Sequence, residues 1–402
     1  MGEKNKMKKK IMILGASILQ LPAIRMAKKM GVSVVVVDYD QTAIGFKEGE
    51  IEKEFISTID IPNVVLAAKK HKIDGIMTLA TDFPVRTIAA VSKEMGLVGI
   101  DEATAIRATN KYEMRKALKQ FGVPVPNFSR AATIEDFNIS IESFVPPFIV
   151  KPADNSGSRG VILVEDISKA KAAFEYSASN SRSGEVVIEE YMKGPEVSVE
   201  TLTIDGVCHV IQITDKLTTG SPHFVEMGHS QPSRLDNNTQ KKIREVAIAA
   251  NKAIGINNGP SHTEIIVTSE GPKIVELGAR LGGDCITTSL VPLSTGIDMV
   301  ECCIRIALGE KVTLKTCSNK GSAIRYFHQT NGHVKDISGI DNALNICGIK
   351  EVVCMVKKGD MVNTVTDSGS RIGYVIAQDQ TAELAIKDCE TALERIHIQL
   401  IK

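Results

Sequence analysis

Several things the sequence lacks narrow its possible roles. The chain has no excess of charge: 48 Lys and Arg balance 48 Asp and Glu. That excludes nucleic acid and an anionic membrane surface as whole-chain partners, so any recognition of anions has to be local. No stretch approaches the roughly 20 apolar residues that cross a bilayer. The basic start "MGEKNKMKKKIMILG" has only the short apolar run "IMIL" and no small-residue cleavage site after it, so it does not read as a signal peptide. Cysteine is missing from the first 207 residues, and the eight present, from Cys208 onward, have no CxxC spacing. Metal cages and a disulfide framework are therefore not expected; reduced thiols in a cytoplasmic protein are.

A dinucleotide fingerprint is also missing. The first hundred residues alternate short β-rich runs, "KIMIL" (10 to 14), "VSVVVVD" (32 to 38) and "DGIMTL" (74 to 79), with helical patterns at 18 to 30, 61 to 71 and 83 to 95. This predicts a parallel, Rossmann-like sheet. Its first turn, "GASILQLP", holds one glycine where a pyrophosphate site needs G-x-G-x-x-G, so NAD is not expected. Asp38 reads as a polar loop residue. Asp82, in "TLATD", reads either as a helix N-cap or as a ligand group at a strand's carboxyl end.

At 402 residues, 43% hydrophobic and 24% charged, the chain has material for roughly two to four domains. A helix is predicted over 110 to 121, capped by Asn110 and stopped by Gly122, and the two Val-Pro steps at 123 to 126 extend the chain after it. A second domain begins here. "PPFIVKP" (146 to 152) is a strand ending in Lys151, and "ADNSGSRG" (153 to 160) is a small, flexible loop before the strand "VILVED". Such a loop is either a plain turn or a cover for phosphates, with backbone N–H groups and the hydroxyls of Ser156 and Ser158 as donors. A half-buried ammonium at Lys151 calls for an anionic partner. In "EVVIEEYMKGPEVSVETLTI" (185 to 204) two strands meet at a turn flanked by Glu189, Glu190 and Glu196.

Taken in order, Lys111, Lys151, the Gly-Ser loop, "EEYMKGPE", "HTEI" (262 to 265) and "VELGARLGGD" (275 to 284) resemble the ATP-grasp superfamily over roughly residues 110 to 284. The preceding Rossmann-like domain and the C-terminal segment fit that family's arrangement. The resemblance implies that Lys111 and Lys151 hold ATP phosphates under a loop containing Ser156, Gly157, Ser158 and Gly160. It implies adenine contacts from Glu189, Glu190, Tyr191 and Met192, ribose contacts from Glu196, and Mg²⁺ (or Mn²⁺) held by Glu264 and Glu276. Asn is common in the family two residues after the second metal acid, where this chain has Gly278.

The turn "TSEGPK" (268 to 273) makes the strands carrying Glu264 and Glu276 antiparallel neighbours, and two facing carboxylates repel unless a cation lies between them. Gly278, Gly282 and Gly283 let backbone approach a transferred phosphoryl group, and Arg280 can neutralise charge developing there. Asp284 reads as a helix cap. The polar stretch "ITDKLTTGSPHFVEMGHSQPSRL" (213 to 235) reads as a long substrate loop. Its "FVEMGHSQPS" is similar to the E-x-G-H-x-x-P stretch of ATP-grasp L-amino acid ligases, relatives of carbamoyl-phosphate synthase and biotin carboxylase. That likeness implies His229 at the acyl phosphate or tetrahedral intermediate, Glu226 at the amine and Lys216 at the carboxylate or phosphate; His223 reads as structural.

The expected fold is α/β: a Rossmann-like pre-ATP-grasp domain (1–109), a lid subdomain with linker helix (110–191), a catalytic subdomain (192–312) and a C-terminal α+β domain (313–402). The expected activity is an ATP-dependent, ADP-forming carboxylate–amine ligation by a cytoplasmic homodimer acting on small molecules, without nucleic-acid or membrane partners. Alternatives are a relative acting on bicarbonate or formate and a non-catalytic ATP-binding protein.

Overall fold

The computed structural model describes residues 8–401 except residue 222, so the basic start (1–7) lies outside the described residues. The first unit runs β1 (Lys10–Leu14), α1 (Leu21–Lys29), β2 (Ser33–Val37), β3 (Ile51–Glu54), α2 (Ile61–His71), β4 (Gly75–Met77), α3 (Val85–Met95) and α4 (Glu102–Thr109). Its sheet is parallel in the order β3-β2-β1-β4. Because side chains alternate along a strand, Ile11, Ile13, Val34 and Val36 pack on one face against α1, while Met12, Leu14, Val35 and Val37 pack on the other against α2. The predicted strands and helices of this unit are present; β3, short and polar, has too little pattern to be read from sequence.

α5 (Lys111–Gln120), capped by the Asn110 side chain, leads into the lid. This comprises β5 (Phe128–Ala131), α6 (Ile134–Ile141), β6 (Phe148–Pro152), β7 (Ile162–Val164), α7 (Ala170–Ser179) and β8 (Val186–Glu190), an antiparallel sheet in the order β5-β8-β6-β7 over a core of Phe137, Phe148 and Phe174. The loop between β6 and β7 turns back through Gly157, Ser158 and Gly160, all at positive φ.

The chain then forms β9 (Glu196–Ile204), β10 (Val207–Thr218), β11 (Glu226–Gln231), α8 (Asn237–Ile254), β12 (Gly259–Thr268), β13 (Gly271–Gly278), α9 (Val291–Thr295) and α10 (Met299–Ala307). Met299, Cys302, Cys303 and Ile306 of α10 enter the core, as their helical spacing predicts. The remainder is β14 (Gly321–Tyr326), β15 (Gly332–Ser338), α11 (Ile340–Leu344), β16 (Ile349–Cys354), β17 (Met361–Val362), β18 (Gly373–Asp379), α12 (Ala382–Arg395) and β19 (His397–Ile401).

Two features differ from the sequence reading. The expected loop at 213 to 235 is mostly the hairpin β10–β11, with Lys216 paired across to His229. Its polar residues resemble a loop only in composition: Gln231 donates to Thr214 at 2.8 Å, and Ser233 donates to Asp215 at 2.5 Å, so the strands satisfy their own polar groups. Second, one sheet crosses the expected boundary at 312, in the order β13-β12-β9-β10-β11-β14-β18-β16. β11 and β14 approach closely at Gly228, where a Cβ would lie 2.8 Å from the Ile324 carbonyl oxygen.

Candidate active site

The site is built on the face of that sheet. Register sets Glu264 of β12 opposite Glu276 of β13, next to a bulge. Each carboxylate has a lysine: Lys111 Nζ donates to Glu276 at 3.0 Å, and also to the Asn155 carbonyl of the glycine loop at 2.5 Å. Lys216 Nζ lies 3.0 Å from Glu264, 2.5 Å from Glu196 and 3.4 Å from Glu226. Burial pulls the Lys216 ammonium toward neutrality, but Glu196, then Glu264 and Glu226, outweigh it and hold its pKa well above the ordinary range. Burial likewise raises Glu264, while Lys216 and then His262 reverse the effect and hold it well below.

His262 was not singled out from the sequence. Its Nδ1 is 2.7 Å from the fully buried Glu200 and its Nε2 is 3.5 Å from Glu264. Burial lowers its pKa, yet the Glu200 charge and hydrogen bond lift it to about 9.

On the lid side, Lys151 Nζ lies 2.7 Å from Glu189 Oε2, whose Oε1 accepts from Arg115 Nε at 2.8 Å. Arg115, with no exposed surface, also donates to the Val275 carbonyl of β13 at 2.5 Å. Glu189 thus anchors two buried cations, and Glu190 accepts from the Asn127 N–H and Lys273 Nζ. Both carboxylates are so engaged; after them Tyr191 lies 6.4 Å from Phe224 between ring centroids, and Met192 is buried. The lid leans on the first unit: Arg182, between α7 and β8, and Arg159 of the glycine loop sit 3.9 and 5.8 Å from the Phe83 ring centroid.

The turn after β13 needs its glycines because other groups fill the space a side chain would take. A Cβ on Gly278 would meet Asp82 Oδ1 at 2.7 Å, and one on Gly282 would meet His262 Nδ1 at 2.7 Å and Glu200 Oε2 at 2.9 Å. Gly283 is less crowded, with Ala80 Cβ at 3.6 Å. Leu281 bridges in parallel to Leu79, which brings the first unit against this turn. Arg280 donates to Asp82 through Nε (3.0 Å) and Nη2 (3.2 Å). Asp82 is therefore an arginine partner, and α3 has Pro84 at its N-cap.

Asp284 is not a helix cap either: the next helical turn has Cys285 at its N-cap position and no side-chain cap. The Asp284 carboxylate instead receives the Arg371 fork at 2.7 and 2.8 Å and His229 Nε2 at 3.2 Å. Burial would raise its pKa; Arg371 and then His229 hold it far below the carboxylate range. Arg371 lies 87 residues from Asp284, and no local pattern in the sequence marks it.

The donor set fits a divalent cation shared with phosphates. Glu264 and Glu276 supply hard oxygens from opposed positions, with side chains 23% and 27% exposed. Among the described residues no three His, Cys, Asp or Glu gather to cage a metal alone. Phosphate oxygens and water would complete its shell.

A parallel α/β unit, an antiparallel lid and a carboxylate–lysine floor define the ATP-grasp class. Residues 144–288 match the ATP-grasp domain model, and residues 325–400 match L-amino acid ligase C-terminal domain 2. The chain is 29% identical over 264 residues to alanine–anticapsin ligase of Bacillus subtilis (strain 168), covering 60% of this chain and 55% of that protein. It is 26% identical over 293 residues to the L-arginine-specific L-amino acid ligase of Bacillus subtilis, covering 70% of each. The crystal structure of L-amino acid ligase from Bacillus licheniformis superposes with a TM-score of 0.84 at 23% identity, over 98% of this chain and 99% of that one. The chain thus carries an ATP-grasp domain match over residues 144–288 followed by an L-amino acid ligase C-terminal domain match over residues 325–400, and its relatives include ligases of that kind.

Proposed function

We propose that this protein is an ATP-dependent carboxylate–amine ligase acting on amino-acid-like substrates and releasing ADP and phosphate. The observation that carries this reading is Lys216, whose ammonium contacts Glu196, Glu264 and Glu226 together. These are the acids assigned to ribose, metal and amine, so one cation links nucleotide and acceptor.

Lys111 and Lys151 would neutralise the phosphates beneath the loop of Ser156, Gly157, Ser158 and Gly160. Tyr191 and Met192 would border the adenine, with Glu196 at the ribose. Glu264 and Glu276 would hold Mg²⁺ (or Mn²⁺), which when bound lowers the charge repelling an incoming carboxylate. Arg280, oriented by Asp82, would stabilise the transferred phosphoryl group over Gly282 and Gly283. The substrate carboxylate attacks phosphorus, forming an acyl phosphate and ADP. The amine, held by Glu226, then attacks the acyl carbon; the carbon–oxygen bond to phosphate breaks, and the amine proton passes to His229.

Relatives acting on bicarbonate share the nucleotide machinery, but the match of residues 325–400 to an L-amino acid ligase domain favours amino-acid-like substrates. We also propose a cytoplasmic homodimer, checked by a light-scattering mass of about twice the 43.5 kDa chain. Among the described residues, no helix is long and apolar enough to cross a membrane.

The test is phosphate release from Mg-ATP with pools of amino acids and small carboxylates, bicarbonate included, followed by mass spectrometry. Release requiring two amino-acid-like substrates, with a new amide mass, is expected. Release with bicarbonate alone would overturn the assignment. Glu276→Gln should lower turnover at least about 100-fold with an unchanged circular dichroism spectrum, because it removes a ligand charge at nearly constant volume; near-normal turnover would remove Glu276 from the metal site.

A further inference from the structure

His229 is 2% exposed, and its two ring nitrogens are in unequal settings. Nε2 is 3.2 Å from Asp284 Oδ2, whereas Nδ1 is buried with no hydrogen-bond partner. A carboxylate at one ring nitrogen fixes the N–H there and leaves the lone pair on the other. A buried acceptor without a partner is rare in folded proteins, and a catalytic role is one of the recognised reasons for one to persist.

Asp284 is itself held from the C-terminal segment. Arg371 grips both of its oxygens, donates to the Glu226 carbonyl at 3.0 Å and the Ser368 carbonyl at 3.0 Å, and lies 3.8 Å from the Tyr326 ring centroid. Ser368 Oγ donates to Glu226 Oε2 at 3.3 Å. Asp284 and Cys285 both occupy the left-handed region, at φ +51° and +59°. Two successive non-glycine residues keep that conformation only where their surroundings enforce it.

We propose that Asp284 and Arg371 are positioning residues that hold His229 with its proton on Nε2, so that Nδ1 accepts the proton of the attacking amine. The inference rests on the ligase reading for the chemistry, and on the distances above for the arrangement. As the nitrogen–carbon bond forms and phosphate departs, one amine N–H bond breaks toward Nδ1, and Asp284 stabilises the resulting imidazolium. Arg371 keeps Asp284 charged and aimed. The same arginine fixes the backbone of Glu226, so the C-terminal segment sets base and amine acid together.

The test uses the full chain in a double-mutant cycle. Asp284→Asn, close to isosteric, should lower kcat for amide formation by about 100-fold while leaving KM for ATP within about twofold. In a His229→Ala background the same change should cost no more than about twofold, because both remove one function. Arg371→Met should repeat this pattern. Losses that multiply in the double variant would overturn the proposal.

Independently, ¹⁵N-histidine spectra, with the His229 signal identified by difference from His229→Gln, should give the Nε2–H tautomer in the wild type and a changed signature in Asp284→Asn. An Nδ1–H wild-type signature would also overturn the proposal. If the wild type forms no amide with any substrate pool, the ligase reading falls, and the spectra alone decide the arrangement. If Asp284→Asn does not fold, the wild-type tautomer decides it.

Discussion

At the scale of single residues, the chemistry of this site depends on groups too close together to be changed one at a time. Gly282 is the sharpest case. A methyl group there would contact His262 and Glu200 within 3 Å, and these sit beneath Glu264. Gly282→Ala is therefore expected to lower kcat about tenfold or more, with a destabilisation of about 1–3 kcal/mol from overpacking; wild-type kinetics with an unchanged Tm would mean that the pair moves aside freely. The acids Glu264 and Glu276 and Lys151 lie on strands that the sequence pattern marks, and Lys111 begins the helix that Asn110 caps. His262 and Arg115 could not be read from sequence, since a buried histidine or arginine has no local signature until its partner, Glu200 or Glu189, is placed beside it.

At the scale of elements, two of the contacts that tie the lid to the rest can be tested directly. The first is the Arg115–Glu189–Lys151 cluster, which joins α5, β8 and β6 and reaches the Val275 carbonyl of β13. Glu189→Ala would leave two buried cations without their carboxylate. A loss of about 3–5 kcal/mol is expected in urea unfolding, and a loss under 1 kcal/mol would show that water replaces the carboxylate. The second is Phe83, flanked by Arg159 and Arg182. Removing the ring in Phe83→Ala should weaken lid closure by about 1 kcal/mol, or roughly a fivefold rise in KM for ATP. Limited proteolysis should then cut faster between 154 and 160; unchanged cleavage and KM would exclude a closing role. The lid strands β6, β7 and β8 were legible from apolar runs between turn residues, whereas β5, with the short sequence FSRA, was not. The hairpin of β10 and β11 was not, because its polar residues satisfy one another across the strands and so resemble a loop in composition.

At the scale of the whole molecule, the C-terminal segment is not an appendage. β14 pairs with β11, so Ile324 lies directly opposite His229, and Arg371 reaches back to Asp284 and Glu226. A chain ending at residue 312, the boundary suggested by sequence, would expose the edge of β11 and remove Arg371. It is expected to aggregate or to unfold at markedly lower temperature, as size-exclusion chromatography and calorimetry would record; a monodisperse, ATP-hydrolysing fragment would contradict this account.

The sequence by itself determined the strand–helix alternation of the first unit, with its parallel sheet, and the opposition of Glu264 to Glu276. Each of these follows from periodicity, caps or a short turn, where the interacting residues are close along the chain. The tertiary structure alone decided that Arg280 meets Asp82, 198 residues away, that Asp284 joins His229 to Arg371, and that Lys216 gathers three acids. A charge placed on a strand can be foreseen from local pattern, but its partner depends on how distant segments pack, and no short-range rule encodes that.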